Sequence, residues 1–474
     1  MPAPFLFILI PILLMPLFYL LQRARTLTVG LAVLCSVALA ALALGLPFGS
    51  PVGWLGGMVF QDTATILGRA FTVATADRLS LAFMFAQAAL LFLLSAIVER
   101  QPAFLSASSG ILGLLAAALF VRPFLFAAIF IELAAALAVF MLAAEVPGQT
   151  LPPGATRGAL RFLVYTTLSL PFILVTGWLL EASAASPADP TFMRQATLTL
   201  MFGFAILLAV VPFHSWVPAI AQNAPPLTTA FVFTVFYQAT VFLLLAFLSA
   251  YPWLNQNPTV YRALTLAGGA LVLFGALFAF GQRNFGRVLG YAMLIDFGAV
   301  LLGIGLGTQA GVESALTTLA LRGIGLPLWA VGLARLRQAA GSDDFDDLHG
   351  YARRHPMAAA AVVLGLLSLV GFPLTAGFTG RWALLGLLAQ IHPTAALLLL
   401  LGTVSVAFVC ARGIVALLAP AEEQQREAPP VVSGRASAAV YGVGFAVVAA
   451  LGIFPQWLLP AVAATASGLI QLNH

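Results

Sequence analysis

Apolar stretches of 18 or more residues, each bounded by charge, glycine or proline, recur about fourteen times along this chain of 474 residues. Each is long enough to cross the hydrocarbon layer of a bilayer as a helix, and a water-soluble core cannot bury so many. At 62% hydrophobic and 8% charged residues, the chain has no segment left for a soluble domain. The longest polar stretches, about residues 50–79, 339–356 and 419–436, are loop-sized. The expected fold class is all-α and integral to the membrane, with the lipid bilayer as its solvent.

Two of the apolar stretches are interrupted. Val211-Pro212-Phe213-His214-Ser215-Trp216-Val217-Pro218, with two prolines, and Gly371-Phe372-Pro373-Leu374-Thr375-Ala376-Gly377-Phe378, with one proline and two glycines, each interrupt a helical pattern. Proline removes a backbone donor and clashes with the preceding turn, so both helices should break at mid-depth. Backbone freed there cannot bond to lipid and is tolerated only around a cavity. Pro212 and Pro373 stand 161 residues apart, and paired interrupted spans are the mark of a transporter built from internal repeats with ion sites at the breaks. The expected architecture is two inverted five-helix repeats, each with a broken helix. Residues 1–98 would form N-terminal helices and an external hairpin, 99–250 the first repeat, 251–419 the second, and 420–474 a C-terminal loop and helix.

The formal charge of +5 is no nucleic-acid signal, because the cations sit between spans. All 21 are arginine, which keeps its proton where a buried lysine can release one. With the N-terminus outside, the loops place 13 arginines, among them Arg100 and Arg426, on the cytoplasmic side and 5 on the other. Residues 3–22 are followed rather than preceded by positive charge, at Arg23 and Arg25, which reads as a first span and not a signal peptide. The expected location is a bacterial cytoplasmic membrane. Cys35 and Cys410 lie in apolar spans without metal-ligand spacing, so neither a redox centre nor a metal site is expected. The acidic run Asp343, Asp344, Asp346, Asp347 lacks the ligand alternation of a calcium loop and reads as a solvated cytoplasmic face.

Charges inside spans are the candidates for chemistry, since each costs several kcal/mol to bury. Glu132 lies near the middle of its span, where it handles protons or pairs structurally with an arginine. Asp296 stands 77 residues before Pro373, as Glu132 stands 80 before Pro212, so the two acids occupy equivalent places in the two repeats. Arg322, at the depth of Asp296 on the next antiparallel span, could pair with it, either for transport or only to fix packing. Arg381 follows the second break by eight residues. His214 sits within the first break, as a titrating group or a structural histidine. Arg412 is the remaining cation within a span.

These residues resemble the antiporter-like membrane subunits of respiratory complex I, and their relatives in Mrp-type sodium/proton antiporters and membrane-bound hydrogenases. The likeness covers roughly residues 100–415. Pro212-Phe213-His214-Ser215-Trp216-Val217-Pro218 with Ala224-Pro225 resembles the family's first broken helix. Arg287-Val288-Leu289-Gly290-Tyr291 resembles its basic-to-tyrosine helix entry. Asp347-Leu348-His349-Gly350 and Gly371 through Arg381 resemble the second broken helix, the most specific match. Length and layout are nearest to the smallest antiporter-like subunit.

The resemblance implies proton translocation along an axis through Glu132, His214, Asp296, Arg322 and Arg381, with no cofactor in this chain and electron transfer left to other membrane subunits of a multi-subunit oxidoreductase. It implies no soluble small-molecule substrate site. Where the family carries lysines or a histidine, this chain has Leu207, Tyr237 with Gln238, Arg381 and Asp296. A non-pumping structural subunit, or a subunit of an antiporter or hydrogenase, remains open at this point.

Overall fold

A computed structural model describes residues 2–46, 51–52, 58–66, 68–98, 101, 103–143, 153–186, 189–420 and 435–469. Arg100, Arg426 and the loop 421–434 lie outside the described residues. The helices in chain order are α1 (Ala3–Leu20), α2 (Arg25–Gly45), α3 (Thr75–Leu94), α4 (Phe104–Phe120), α5 (Ala127–Leu142), α6 (Pro153–Ala185), α7 (Pro190–Leu207), α8 (Trp216–Asn223), α9 (Pro226–Phe231) and α10 (Tyr237–Ala250). They continue as α11 (Pro252–Asn255), α12 (Pro258–Phe280), α13 (Phe285–Gly305), α14 (Gln309–Ala340), α15 (Tyr351–Arg354), α16 (Pro356–Leu369), α17 (Phe378–Ile391), α18 (Pro393–Leu418), α19 (Arg435–Ile453) and α20 (Leu459–Leu469). Ten helical segments among the described residues are long and apolar enough to cross a membrane, and shorter apolar helices such as α4 and α16 accompany them.

Burial sorts these helices into a centre and a rim. The run of residues 226–248 is wholly buried, and the central parts of α13 and α14 are almost so. Around them, α1, α2, α6, α12 and α18 turn large apolar side chains outward, among them Leu13, Leu34, Val164, Leu266 and Val415, each more than half exposed. An apolar outer surface is unfavourable in water and neutral in hydrocarbon, so the rim faces lipid or partner helices. The chain is a multi-pass membrane protein of all-α class.

Most of the small amount of strand lies between α2 and α3. The hairpin of β1 (Thr63–Ile66) and β2 (Arg69–Thr72) turns at Gly68 in a left-handed conformation, and β3 (Val121–Arg122) extends it after α4.

Both broken helices end in the same way. After α7, Val210 N–H donates to Ala205 O at 2.9 Å and Ala209 N–H to Ile206 O at 3.2 Å, with Ala209 at φ +58°. After α16, Phe372 N–H donates to Leu367 O at 2.9 Å and Gly371 N–H to Ser368 O at 3.2 Å, with Gly371 at φ +74°. This paired bonding around one left-handed residue satisfies carbonyls that a helix end leaves orphaned, which lipid could not do. Pro212 and Pro373 then prevent the helix from resuming at once.

Candidate ion-translocation site

At the second break the structure brings three charged side chains together. Asp296 projects from the middle of α13, Arg322 from α14 and Arg381 from the first turn of α17. Arg322 Nε donates to Asp296 Oδ2 at 2.6 Å and its Nη2 lies 2.5 Å from the same oxygen. Arg381 Nη2 donates to Asp296 Oδ1 at 3.1 Å. The side chains are at most 2% exposed. Two guanidiniums share one carboxylate, so this buried cluster carries a net charge of +1.

Backbone carbonyls offset part of that excess. Arg322 Nη1 donates to Phe233 O at 3.1 Å. Phe233 lies in the π-helical turn Val232–Phe236 between α9 and α10, where the wider i→i+5 ladder re-aims carbonyls and where functional sites are often found. Arg381 Nη2 also donates to Leu369 O at 3.0 Å, in the last turn of α16. The half-helix thus directs the negative end of its dipole at a cation supplied by the other half. Arg322 also lies 5.1 and 5.0 Å from the ring centroids of Tyr237 and Phe297, which stack on each other at 3.5 Å.

Glycine is required for this approach. A Cβ on Gly371 would meet Arg381 Cβ at 2.4 Å, and one on Gly377 would meet Ser368 O at 1.8 Å. The two ends of the break therefore fit each other only without those side chains, and the fit seats Arg381 against α16.

Several polar groups nearby are buried without a hydrogen-bond partner among the described residues: Arg381 Nε and Nη1, Tyr237 Oη, and both side-chain amide atoms of Gln238. Such groups are costly to enclose and mark the enclosed helix α10 and the second break as a polar region inside an apolar bundle.

The other two candidates lie apart from this cluster. Glu132 on α5 accepts a 2.5 Å hydrogen bond from Thr167 Oγ1 on α6, and its Oε2 is buried without a partner. The pairing of an acid on one helix with a side chain on the next parallels Asp296 and Arg322, with threonine in the place of arginine. His214, half-buried in the 3-10 turn Phe213–Ser215, meets Phe274 edge-on at 5.6 Å between centroids, and its Nδ1 has no partner. Among the described residues no hydrogen bond or ion pair joins Glu132 or His214 to the cluster.

The acidic run is not the uniformly solvated face that the sequence suggests. Asp343 is buried, pairs with Arg337 at 2.6 Å, and accepts bonds from Asn284 Nδ2 and Gly286 N–H. Arg337 also donates to the carbonyls of Ala221, Gln222 and Ala224, capping the end of α8. Charge patterning cannot reveal this, because Asn284 and Gly286 are uncharged and come from a distant stretch of the chain that only the tertiary fold brings beside Asp343. Asp346 and Asp347 are exposed. Among the described residues no group of three or more His, Cys, Asp or Glu side chains could hold a metal.

The fold and the cluster define a helical membrane protein with buried charged side chains at discontinuous helices. Residues 189–408 match the family described as NADH:quinone oxidoreductase/Mrp antiporter, TM. The chain is 30% identical over 324 residues to NADH-quinone oxidoreductase subunit N 1 of Solidesulfovibrio magneticus, covering 66% of this chain and 70% of that protein. It is 32% identical over 288 residues to NADH-quinone oxidoreductase subunit N of Rhodococcus opacus, covering 59% and 52% of the two chains. The chain belongs to the NADH:quinone oxidoreductase/Mrp antiporter transmembrane family. Its alignments span about half the length of the curated relatives it matches first. A chain in the structure titled respiratory complex I from Thermus thermophilus with bound NADH superposes with a TM-score of 0.76 at 23% identity, over 98% of this chain and 100% of that one, so the fold is shared along its length.

Proposed function

We propose that this chain is a proton-translocating, antiporter-like membrane subunit of a complex I-type NADH:quinone oxidoreductase. The observation that carries the reading is the Arg322–Asp296–Arg381 cluster, set where a broken helix directs its carbonyl end into the bundle, in a chain whose relatives are named as subunits N of that enzyme. Electron transfer belongs to partner subunits, and this chain contributes the membrane path.

In this reading Asp296 acts as a gate. Both of its oxygens are engaged by guanidinium N–H groups, so a proton can reach the carboxylate only by displacing one of them. Arginine does not give up its own proton, so Arg322 and Arg381 act as fixed charges that swing between Asp296 and the carbonyls of Phe233 and Leu369. Glu132 with Thr167, and His214, form the corresponding path through the first repeat. The repeats run over residues 99–250 and 251–419, in a bacterial cytoplasmic membrane with the N-terminus outside.

A second reading, a non-pumping subunit that serves as scaffold, is favoured by one feature. The first break has Leu207 before its proline and Ile220 where the second has Arg381, so its hydrophobic path offers fewer charged stations. Extraction in mild detergent followed by native mass measurement tests the assembly: the chain should migrate with NADH:quinone reductase activity. A stable, transport-competent monomer would contradict membership of such a complex.

A further inference from the structure

A second cluster of cations lies away from the helix breaks, at the bundle edge that carries most of the arginines. A cavity of about 100 Å³ opens where the turn after α3, the last turns of α14, the start of α16 and the start of α19 meet. Its polar lining includes Arg335, Gln338, Arg354, His355, Ser437 and Tyr441, and no carboxylate among the described residues lines it. The volume is that of roughly three waters, the scale of one tetrahedral oxyanion.

Two features direct positive potential into it, and a buried histidine adjoins them. Among the described residues Arg335 bonds only Gln338, at 2.7 Å, while Arg354 Nη2 is buried without a partner. The first turn of α16, a helix of 14 residues, starts at Pro356 and lines the cavity with Met357 and Ala358, whose N–H groups have no acceptor within the helix. His355 is nine-tenths buried, stacks on Tyr351, and its imidazole makes no hydrogen bond among the described residues. Burial first, then Arg335 and Arg354, hold that imidazole below its ordinary range, as expected of a histidine beside unneutralised cations.

We propose that this cavity is a phosphate-binding site, taking the phosphate group of an anionic phospholipid or a free phosphate. Arg335 and Arg354 supply the planar donors that match phosphate oxygens, and the helix terminus supplies backbone N–H groups. Basic pockets between transmembrane helices at the inner surface bind lipid headgroups on the same principle. A phosphate here would tie α14 and α16, the helices that carry Arg322 and lead to Arg381, to α3 and α19. The inference stands whether or not the chain pumps protons.

The test compares the assembled complex with variants Arg354→Gln and Arg335→Gln/Arg354→Gln, using dioleoylphosphatidylglycerol, dioleoylphosphatidylcholine and inorganic phosphate as probes in native mass spectrometry. Arg353→Gln removes an exposed arginine outside the cavity and serves as the charge control. The wild type and the control should hold one more tightly bound phosphatidylglycerol or phosphate than the double variant, and Arg354→Gln alone should weaken it about ten-fold or more. Retention of phosphatidylglycerol against millimolar phosphate identifies a lipid as the source, and displacement by phosphate identifies the free anion. Equal occupancy of phosphatidylglycerol and of phosphate in the wild type and Arg354→Gln overturns the site, as does retention of phosphatidylcholine equal to that of phosphatidylglycerol and phosphate in the wild type; the single variant carries the test where the double variant does not assemble.

Discussion

Asp296 is the one acid between two buried guanidiniums, so its removal leaves two cations in an apolar interior with no counter-charge. Asp296→Asn is expected to cost about 3–5 kcal/mol of stability, whereas combining it with Arg322→Met, which leaves only Arg381 without its counter-charge, should cost less. The check is a double-mutant comparison of apparent unfolding midpoints in the extracted complex, and simple additivity would mean that the ion pair contributes no coupling. Arg381 makes a sharper distinction. Arg381→Lys keeps a cation near Leu369 O and Asp296 and should retain coupled transport. Arg381→Met removes the charge and should abolish it, measured as proton uptake in reconstituted vesicles. Equal transport by the two variants would place the path elsewhere.

At the scale of elements, the two breaks share a geometry but differ in the residue that takes the left-handed turn. Gly371 bears its φ of +74° without strain, while Ala209 holds φ +58° against a Cβ clash. Ala209→Gly is therefore expected to raise stability by about 1 kcal/mol. Gly371→Ala should lower it and also displace Arg381, since the new methyl would lie 2.4 Å from Arg381 Cβ. Thermal midpoints together with transport rates separate these effects: the first substitution should leave transport intact and the second should not. The breaks themselves are legible in the sequence, because Pro212 and Pro373 forbid a continuous helix wherever they fall. The carbonyls that receive the arginines are not. Leu369 O is released by the helix end, and Phe233 O by a π-turn that no residue type in Val232–Phe236 announces. The spacing of Asp296 and Arg322 suggests their pairing, but the meeting of Arg381 with the same carboxylate depends on how α17 folds back across the break, which is a tertiary fact. Asp343 shows the reverse error, an acid that reads as solvated and is enclosed by Arg337 and Asn284.

Across the whole molecule, enclosed helices carry the polar groups and outer helices carry the apolar surface, as expected of a chain whose solvent is lipid. The enclosed set of α9, α10, α13 and α14 holds Asp296, Arg322, Tyr237 and Gln238, and the family's membrane chemistry is read most directly there. Glu132 and His214 stand outside that set, so under the proposed function Glu132→Gln should lower the proton yield less than changes at Asp296. The most direct test of the account is the number of protons translocated per electron by the assembled complex in sealed vesicles carrying Asp296→Asn. The account predicts a lowered ratio in the fraction of complex that assembles and oxidises NADH. A wild-type ratio in the fully assembled variant would contradict it.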